Sequence, residues 1–125
     1  MKFYRCKSCG DIVCPLPNRP MCISCCNEEM EEIVPNTEEA AVEKHIPILK
    51  ETEDGIEILV GSVMHPSSEE HYIEWVYIEL VKGGVSIPFE PGEEPVCKVP
   101  YKKEDIKAIY SYCNLHGLWK SEDLF

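Results

Sequence analysis

Four histidines and one cysteine are the residues of this chain best suited to bind a redox-active metal ion. The sequence contains only four histidines, His45, His65, His71 and His116. His65 lies in a turn-like stretch after a predicted strand and His71 opens the next one, so both side chains can face one pocket. Cys113 and His116 stand at the spacing of a metal-binding knuckle. Imidazole suits iron, copper or zinc, and one thiolate narrows this choice. The spacing predicts a metal site and leaves its chemistry open.

A second group of ligands lies near the N-terminus, where six of the eight cysteines fall between Cys6 and Cys26. Clustered cysteines in a reducing compartment more often bind metal than form disulfides. Cys6 and Cys9 form a CxxC knuckle, whose two thiolates can reach one tetrahedral ion. The second pair is either Cys22 with Cys25 or Cys25 with Cys26, and spacing alone favours the first.

The charge of the chain excludes some classes of partner. The 125 residues carry a net charge of −11, and there is no basic cluster. Nucleic acids and anionic membranes require clustered Lys and Arg, so neither is an expected partner. No apolar run reaches the roughly 18 residues of a membrane span, and the first residues lack the apolar core of a secretory signal. We therefore expect a cytoplasmic protein.

The elements that must position these ligands are mostly strands. Apolar residues alternate at Ile56, Ile58 and Val60, and the paired glycines Gly83 and Gly84 predict a hairpin turn. Further strands are predicted at residues 71–81, 85–87, 96–99 and 106–112. Short strands separated by regular turn signals are typical of an antiparallel sandwich. The expected fold is all-β, with an immunoglobulin-like sandwich as its main part.

The sequence predicts two domains, residues 1–35 and 36–125. The first is rich in cysteine and too poor in apolar residues to fold unaided, so that a metal ion would have to stabilise it. Around the boundary, Asn36 is a candidate cap for a short helical turn, with Glu39 at its third position.

Four segments of the second domain resemble the desulfoferrodoxin type of superoxide reductase. The segments occur in the order and spacing of that family, and a desulforedoxin-like cysteine module precedes them. They are Glu43-Lys44-His45-Ile46-Pro47, Gly61-Ser62-Val63 followed by His65-Pro66, His71-Tyr72-Ile73-Glu74-Trp75, and Cys113-Asn114-Leu115-His116-Gly117 with Trp119-Lys120.

The resemblance implies two metal centres. The catalytic centre is a mononuclear iron, Fe(2+) or Fe(3+), with one axial thiolate and four equatorial imidazoles, supplied by Cys113, His45, His65, His71 and His116. The second centre is an iron, or a zinc in its place, bound by Cys6, Cys9, Cys25 and Cys26. Here the resemblance selects Cys26 over Cys22, although Asn27 replaces the glycine that usually follows the pair. Asparagine tolerates the left-handed conformation that such a turn requires.

The resemblance also implies an activity. Superoxide is reduced to hydrogen peroxide at the ferrous centre, and an external donor such as rubredoxin re-reduces the iron. Glu43 matches a glutamate that can occupy the open coordination position after oxidation, and Lys44 matches a lysine beside that position. Lys44 would offset the repulsion between an acidic protein and an anionic substrate. The N-terminal centre is either structural or an electron relay, and the family commonly forms homodimers.

Two other functions are compatible with parts of the sequence. A zinc hydrolase could use Glu43 as its general base, but a fifth protein donor such as Cys113 would block the position of the reactive water. A non-enzymatic electron-transfer or metal-binding module could be built on the N-terminal cysteines alone, but this function leaves all four histidines unexplained.

Overall fold

A computed structural model describes residues 1–16 and 22–121 of the chain. The chain divides into two compact units, Met1–Val34 and Pro35–Phe125. No helix in the described residues is long and apolar enough to span a membrane.

The first unit consists of short antiparallel strands. These are β1 (Phe3–Arg5), β2 (Ile12–Val13), β3 (Ser24–Cys25), β4 (Glu28–Glu29) and β5 (Glu31–Ile33). The sheet order is β2-β1-β5, and β3 pairs with β4 as a separate ribbon. Its apolar cluster consists of Tyr4, Cys6 and Met30, with Ile23 and Cys25 packed against it. A core this small needs further cross-linking to be stable.

The second unit is an antiparallel β-sandwich. Its strands are β6 (Pro47–Thr52), β7 (Gly55–Val60), β8 (Ile73–Leu80), β9 (Gly83–Pro88), β10 (Val96–Val99), β11 (Ile106–Cys113) and β12 (Gly117–Lys120). One sheet has the order β10-β7-β6 and the other the order β12-β11-β8-β9. Two antiparallel sheets of three and four strands are the arrangement of immunoglobulin-like domains, so the all-β prediction is confirmed.

The hydrophobic core lies between these two sheets. Alternate residues of β7, Ile56, Ile58 and Val60, are buried as the sequence pattern predicted. They pack in one cluster with inward-facing residues of the other sheet, among them Val76 and Ile109. Because the side-chain period of a strand is two, this burial fixes the register of both sheets.

The only regular α-helix among the described residues is α1 (Val42–His45), and a 3₁₀ turn covers Lys103–Asp105. The prediction that Asn36 caps a helical turn was wrong. Asn36 has a φ of 62° and its side-chain amide bonds both main-chain groups of Lys120, at 3.1 and 2.9 Å. An asparagine amide offers one donor and one acceptor side, and here both pair with the exposed edge of β12.

Candidate metal centres

The imidazole rings of His45 and His65 face each other through their Nε2 atoms, which lie 3.1 Å apart. On its other side each ring is held by a main-chain carbonyl group, since both Nδ1 atoms lie 2.7 Å from an oxygen, that of Ala41 or of Pro66. A carbonyl oxygen only accepts hydrogen bonds, so each Nδ1 carries the proton and each Nε2 of a neutral ring presents a lone pair.

The pKa values of these two rings favour the neutral form. Burial lowers the pKa of His45, and burial lowers the pKa of His65 to about 4. Two neutral imidazoles whose lone pairs point at each other cannot form a hydrogen bond. A cation between them converts this repulsion into two coordination bonds, so the pair fits a bound metal ion.

His71 and His116 complete a ring of four imidazoles. His116 Nδ1 lies 3.2 Å from His45 Nε2, and the centroid of the His71 ring lies 4.6 Å from that of His65 and 5.0 Å from that of His116. Neighbouring rings are nearly perpendicular, at 74° to 89°. His71 Nε2 is buried without a hydrogen-bond partner. Metal–imidazole bonds of about 2.1 Å at right angles place adjacent nitrogens about 3 Å apart, so the ring fits one ion.

Cys113 is a fifth donor beside this ring. Its thiol is fully buried, and its Sγ atom lies 3.9 Å from Nδ1 of His116. Burial raises the pKa of the Cys113 thiol, while hydrogen bonds from the main-chain N–H groups of His116 and Leu115 oppose this effect. A metal cation would reverse the balance and deprotonate the sulfur. One soft thiolate with four imidazoles is a donor set suited to iron.

One end of the sandwich brings these five donors together. His45 lies at the end of α1, and His65 and His71 lie in the loop between β7 and β8. Cys113 is the last residue of β11, and His116 lies in the turn before β12. Each ligand therefore follows or precedes a strand that the core holds in register.

Three residues that support the ligands were not identified from the sequence. Ser111 donates its hydroxyl proton to the carbonyl oxygen of His45 at 2.7 Å, fully buried. Asn114 bonds the main chain on both sides of His71. Trp119 packs on the ring of His45. A polar Ser111 at an inward-facing strand position, two residues before a ligand, was the available signal for the first of these.

Glu43 and Lys44 lie on α1 with exposed side chains. The carbonyl oxygen of Glu43 accepts hydrogen bonds from Val63 N at 3.0 Å and Ser62 Oγ at 3.2 Å, so the turn before His65 packs on α1. The Lys44 charge is close enough to contribute to the lowered pKa of His71, after burial of that ring and the charge of His116. The structure thus places Lys44 at the edge of the histidine site.

The N-terminal cysteines form a second cluster. The sulfur atoms of Cys6, Cys9, Cys25 and Cys26 all lie within 4.8 Å of one another, whereas Cys22 is exposed and is not part of this group. The distances are 3.7 Å from Cys9 to Cys25 and 3.9 Å from Cys25 to Cys26. Four sulfur atoms bound tetrahedrally at about 2.3 Å are about 3.8 Å apart, so these distances fit one ion.

The thiols of this cluster influence one another strongly. Main-chain N–H groups, first that of Cys9, lower the pKa of Cys6 to about 7. Hydrogen bonding to Cys9, then to Cys6 and Cys26, raises the pKa of Cys25 to about 12. Four sulfur atoms this close together cannot all be thiolates unless a cation offsets their negative charges. The turn that brings them together requires a φ of 52° at Cys26 and 60° at Asn27, a conformation that asparagine tolerates.

An immunoglobulin-like unit with a four-histidine, one-cysteine site, together with a four-cysteine module, defines a metalloprotein with two centres. The sequence model of the desulfoferrodoxin family matches residues 37–122, and this chain belongs to that family.

Known proteins resemble the chain over nearly its whole length. It is 41% identical to the desulfoferrodoxin of Syntrophotalea carbinolica, over 98% of this chain and 96% of the relative. It is 42% identical to the desulfoferrodoxin of Nitratidesulfovibrio vulgaris, over 97% and 95%. The crystal structure of the superoxide reductase from Treponema pallidum superposes with a TM-score of 0.79 at 28% identity and covers 97% of this chain and 98% of that one.

Proposed function

We propose that this chain is a superoxide reductase that reduces superoxide to hydrogen peroxide at an iron bound by Cys113 and the four histidines, His45, His65, His71 and His116. The observation that supports this function most directly is the pair of Nε2 lone pairs, 3.1 Å apart, on His45 and His65. This pair fits a bound cation, and the buried sulfur of Cys113 beside it distinguishes the donor set from that of a hydrolytic zinc site, which has three protein ligands and a water.

Ferrous iron held by these five protein donors would supply the one electron that superoxide needs. One superoxide, one electron and two protons give one hydrogen peroxide. The four neutral imidazoles add no charge to the centre, and the thiolate of Cys113 adds one negative charge and donates electron density. Main-chain N–H groups of Leu115 and His116 hold that sulfur in place.

Lys44 and Glu43 have separate roles in this proposal. The Lys44 ammonium group attracts the anionic substrate toward the site against the net charge of −11. The Glu43 carboxylate, one residue before Lys44, would be a further oxygen donor to the oxidised iron. Their exposure on α1, directly before the ligand His45, supports both roles.

The second centre and the domain division are part of the same proposal. Residues 1–35 form a module with iron, or zinc in its place, bound by Cys6, Cys9, Cys25 and Cys26, and residues 36–125 form the reductase domain. The two compact units meet within one residue of this boundary, which supports the division. The small apolar cluster of the first unit supports a structural role for its metal.

Re-reduction requires an external one-electron donor, for which we propose a rubredoxin-like protein. Four large apolar side chains within three residues of a ligand in sequence are exposed and available for brief protein contact: Val42, Val63, Met64 and Leu115. We further propose a homodimer in the cytoplasm, supported by family resemblance and by thiol clusters of the kind that persist in a reducing compartment.

Stoichiometry tests the activity. Purified protein, with its iron content measured, is reduced fully and mixed with substoichiometric superoxide. One hydrogen peroxide per superoxide and no oxygen is the result expected of a reductase, with EPR and visible spectra reporting oxidation of the iron. A dismutase would give half a peroxide and half an oxygen per superoxide. A colourless zinc protein would leave superoxide to spontaneous dismutation, with the same products and no spectral change; either result contradicts the proposal.

A further inference from the structure

His71 is held differently from the other two ligands that present Nε2. The rings of His45 and His65 are each oriented by a carbonyl group at Nδ1. Among the described residues His71 has no such partner, and its Nε2 is buried without one. The hydrogen bonds that hold His71 are instead made by its main chain and by the peptide groups that flank it.

The side chain of Asn114 and the main chain of Ser68 hold the peptide groups on either side of His71. Asn114 Nδ2 donates to the carbonyl oxygen of Glu70 at 3.0 Å, and Asn114 Oδ1 accepts from the N–H of Tyr72 at 3.0 Å. Ser68 pairs with the N–H and the carbonyl group of His71 itself, at 3.2 and 3.0 Å. All four hydrogen-bonding groups of the two flanking peptides are thus occupied.

Asn114 stands between two ligands of its own loop, Cys113 and His116. Its main-chain N–H also donates to the carbonyl oxygen of Tyr72 at 3.2 Å. Three hydrogen bonds from one residue therefore join the loop that carries Cys113 and His116 to the segment that carries His71.

We propose that Asn114 is a positioning residue that fixes His71 relative to Cys113 and His116 by holding both peptide groups that flank His71. The role requires a donor and an acceptor on two separate atoms of a short side chain, which the amide of asparagine provides without a charge. This inference rests on the proposed function, since it assumes that these residues share one metal ion.

The plain structural alternative is an asparagine that only stabilises a turn. Asn36 is a matched control, because its amide also makes two hydrogen bonds to main-chain groups, at Lys120, which carries no ligand. Asn114→Ala removes both side-chain bonds, and Asn114→Asp keeps the acceptor for Tyr72 while losing the donor to Glu70.

The test measures the affinity of the histidine centre for Fe²⁺ by chelator competition, and the ferric EPR signal of the same centre, in full-length protein. Loss of a hydrogen bond that orients a metal ligand costs about 10- to 100-fold in affinity. Asn114→Ala should weaken Fe²⁺ binding by this factor and change the rhombicity of the EPR signal, with Asn114→Asp in between. Asn36→Ala should lower the urea midpoint but leave affinity and EPR signal unchanged.

Wild-type affinity and an unchanged EPR signal in Asn114→Ala would overturn the inference. If Asn114→Ala does not fold, the Fe²⁺ affinity of Asn114→Asp is the test. An affinity equal to that of the wild type overturns the inference. Failure of the wild-type protein itself to bind iron at the histidines would instead contradict the proposed function.

Discussion

The indole ring of Trp119 stacks on the imidazole ring of His45, with centroids 4.8 Å apart and 24° between the ring planes. The indole Nε1 also donates to the carbonyl oxygen of His116 at 3.0 Å. In the register of β11 and β12, Trp119 lies opposite Ser111, which bonds the carbonyl group of His45. Trp119 thus holds His45 by stacking and His116 by a hydrogen bond, and its cross-strand neighbour Ser111 holds His45 by a second hydrogen bond.

Replacement of Trp119 by Phe should destabilise the metal-loaded protein. The phenyl ring keeps part of the stacking on His45, but the partly buried carbonyl group of His116 loses its donor, which costs about 1 kcal/mol or more. Urea unfolding of the loaded protein measures this, and the visible spectrum should shift because the two ligands move. Trp75→Phe is the control, since Trp75 stacks on Tyr112 at 5.4 Å. Equal spectral changes in both variants would contradict the role of Trp119.

Replacement of the thiolate ligand by a hydroxyl group should have a larger effect. Cys113→Ser should abolish the visible thiolate-to-iron band and most superoxide reduction, because a harder ligand changes both charge transfer and redox potential. This loss of activity should be larger than the effect of removing a hydrogen-bond partner of a ligand, which is about 10- to 100-fold. Visible spectroscopy and rapid mixing with superoxide measure both quantities.

Cys97→Ser is the matched control for this substitution. Cys97 is a partly buried thiol on β10 that packs against the core, and burial raises its pKa to about 11. The variant should keep the band and the activity. If Cys113→Ser also keeps them, the proposed ligand set is wrong.

The two metal centres should be separable. Cys9→Ser removes a donor from the four-cysteine cluster and should release its metal, while the spectrum of the histidine centre and its direct reaction with superoxide remain. Metal analysis and EPR of the same sample distinguish the centres. Simultaneous loss of both would mean that the two units bind metal as one cooperative body.

The choice between Cys22 and Cys26 can be tested in the same way. Cys26 lies in the cluster and Cys22 does not, so only Cys26→Ser should lose the N-terminal metal. Each variant exchanges one exposed thiol for a hydroxyl, which makes them controls for each other. The opposite result would favour the ligand pair that spacing alone suggested.

The strands were predictable where burial imposes a period of two. The alternation at Ile56, Ile58 and Val60 located β7. The glycine pair predicted the next hairpin but not its turn, which is Val81 and Lys82, since both glycines lie inside β9. Strand β12 was missed, because four residues with two apolar side chains give too short a pattern. Local signals also placed a helical turn near Asn36, whereas the pairing of that residue with Lys120 joins positions 84 apart in sequence.

The site was predictable in residue type but not in geometry. Scarcity of histidine and the CxxH spacing pointed to the ligands, and the family resemblance supplied the full set. The nitrogen that each ring presents depends on carbonyl groups, such as that of Ala41 for His45, which carry no side-chain signal. The contacts of Asn114 with residues 70 and 72 likewise depend on how two loops meet after folding.

We propose that Lys44 lets an acidic protein capture an anion. Its exposed ammonium group lies on α1 beside the ligand His45, and its charge reaches His71. An attractive charge at a site changes association rates by roughly 10- to 1,000-fold, in a manner that salt screens. Lys44→Ala should therefore leave iron content and visible spectrum unchanged and lower the bimolecular rate with superoxide by about tenfold or more.

The salt dependence of the bimolecular rate shows whether the slower reaction of Lys44→Ala comes from the missing charge. Lys50→Ala is the matched control, because Lys50 is exposed on β6 and its removal changes the net charge equally. Pulse radiolysis at two ionic strengths should show that only Lys44→Ala loses the local attraction, so that its rate rises with added salt as repulsion by the remaining charge is screened. Glu43→Ala should instead alter the oxidised resting spectrum and spare the encounter rate. Equal rates for Lys44→Ala, Lys50→Ala and the wild type would show that Lys44 is an ordinary solvated lysine.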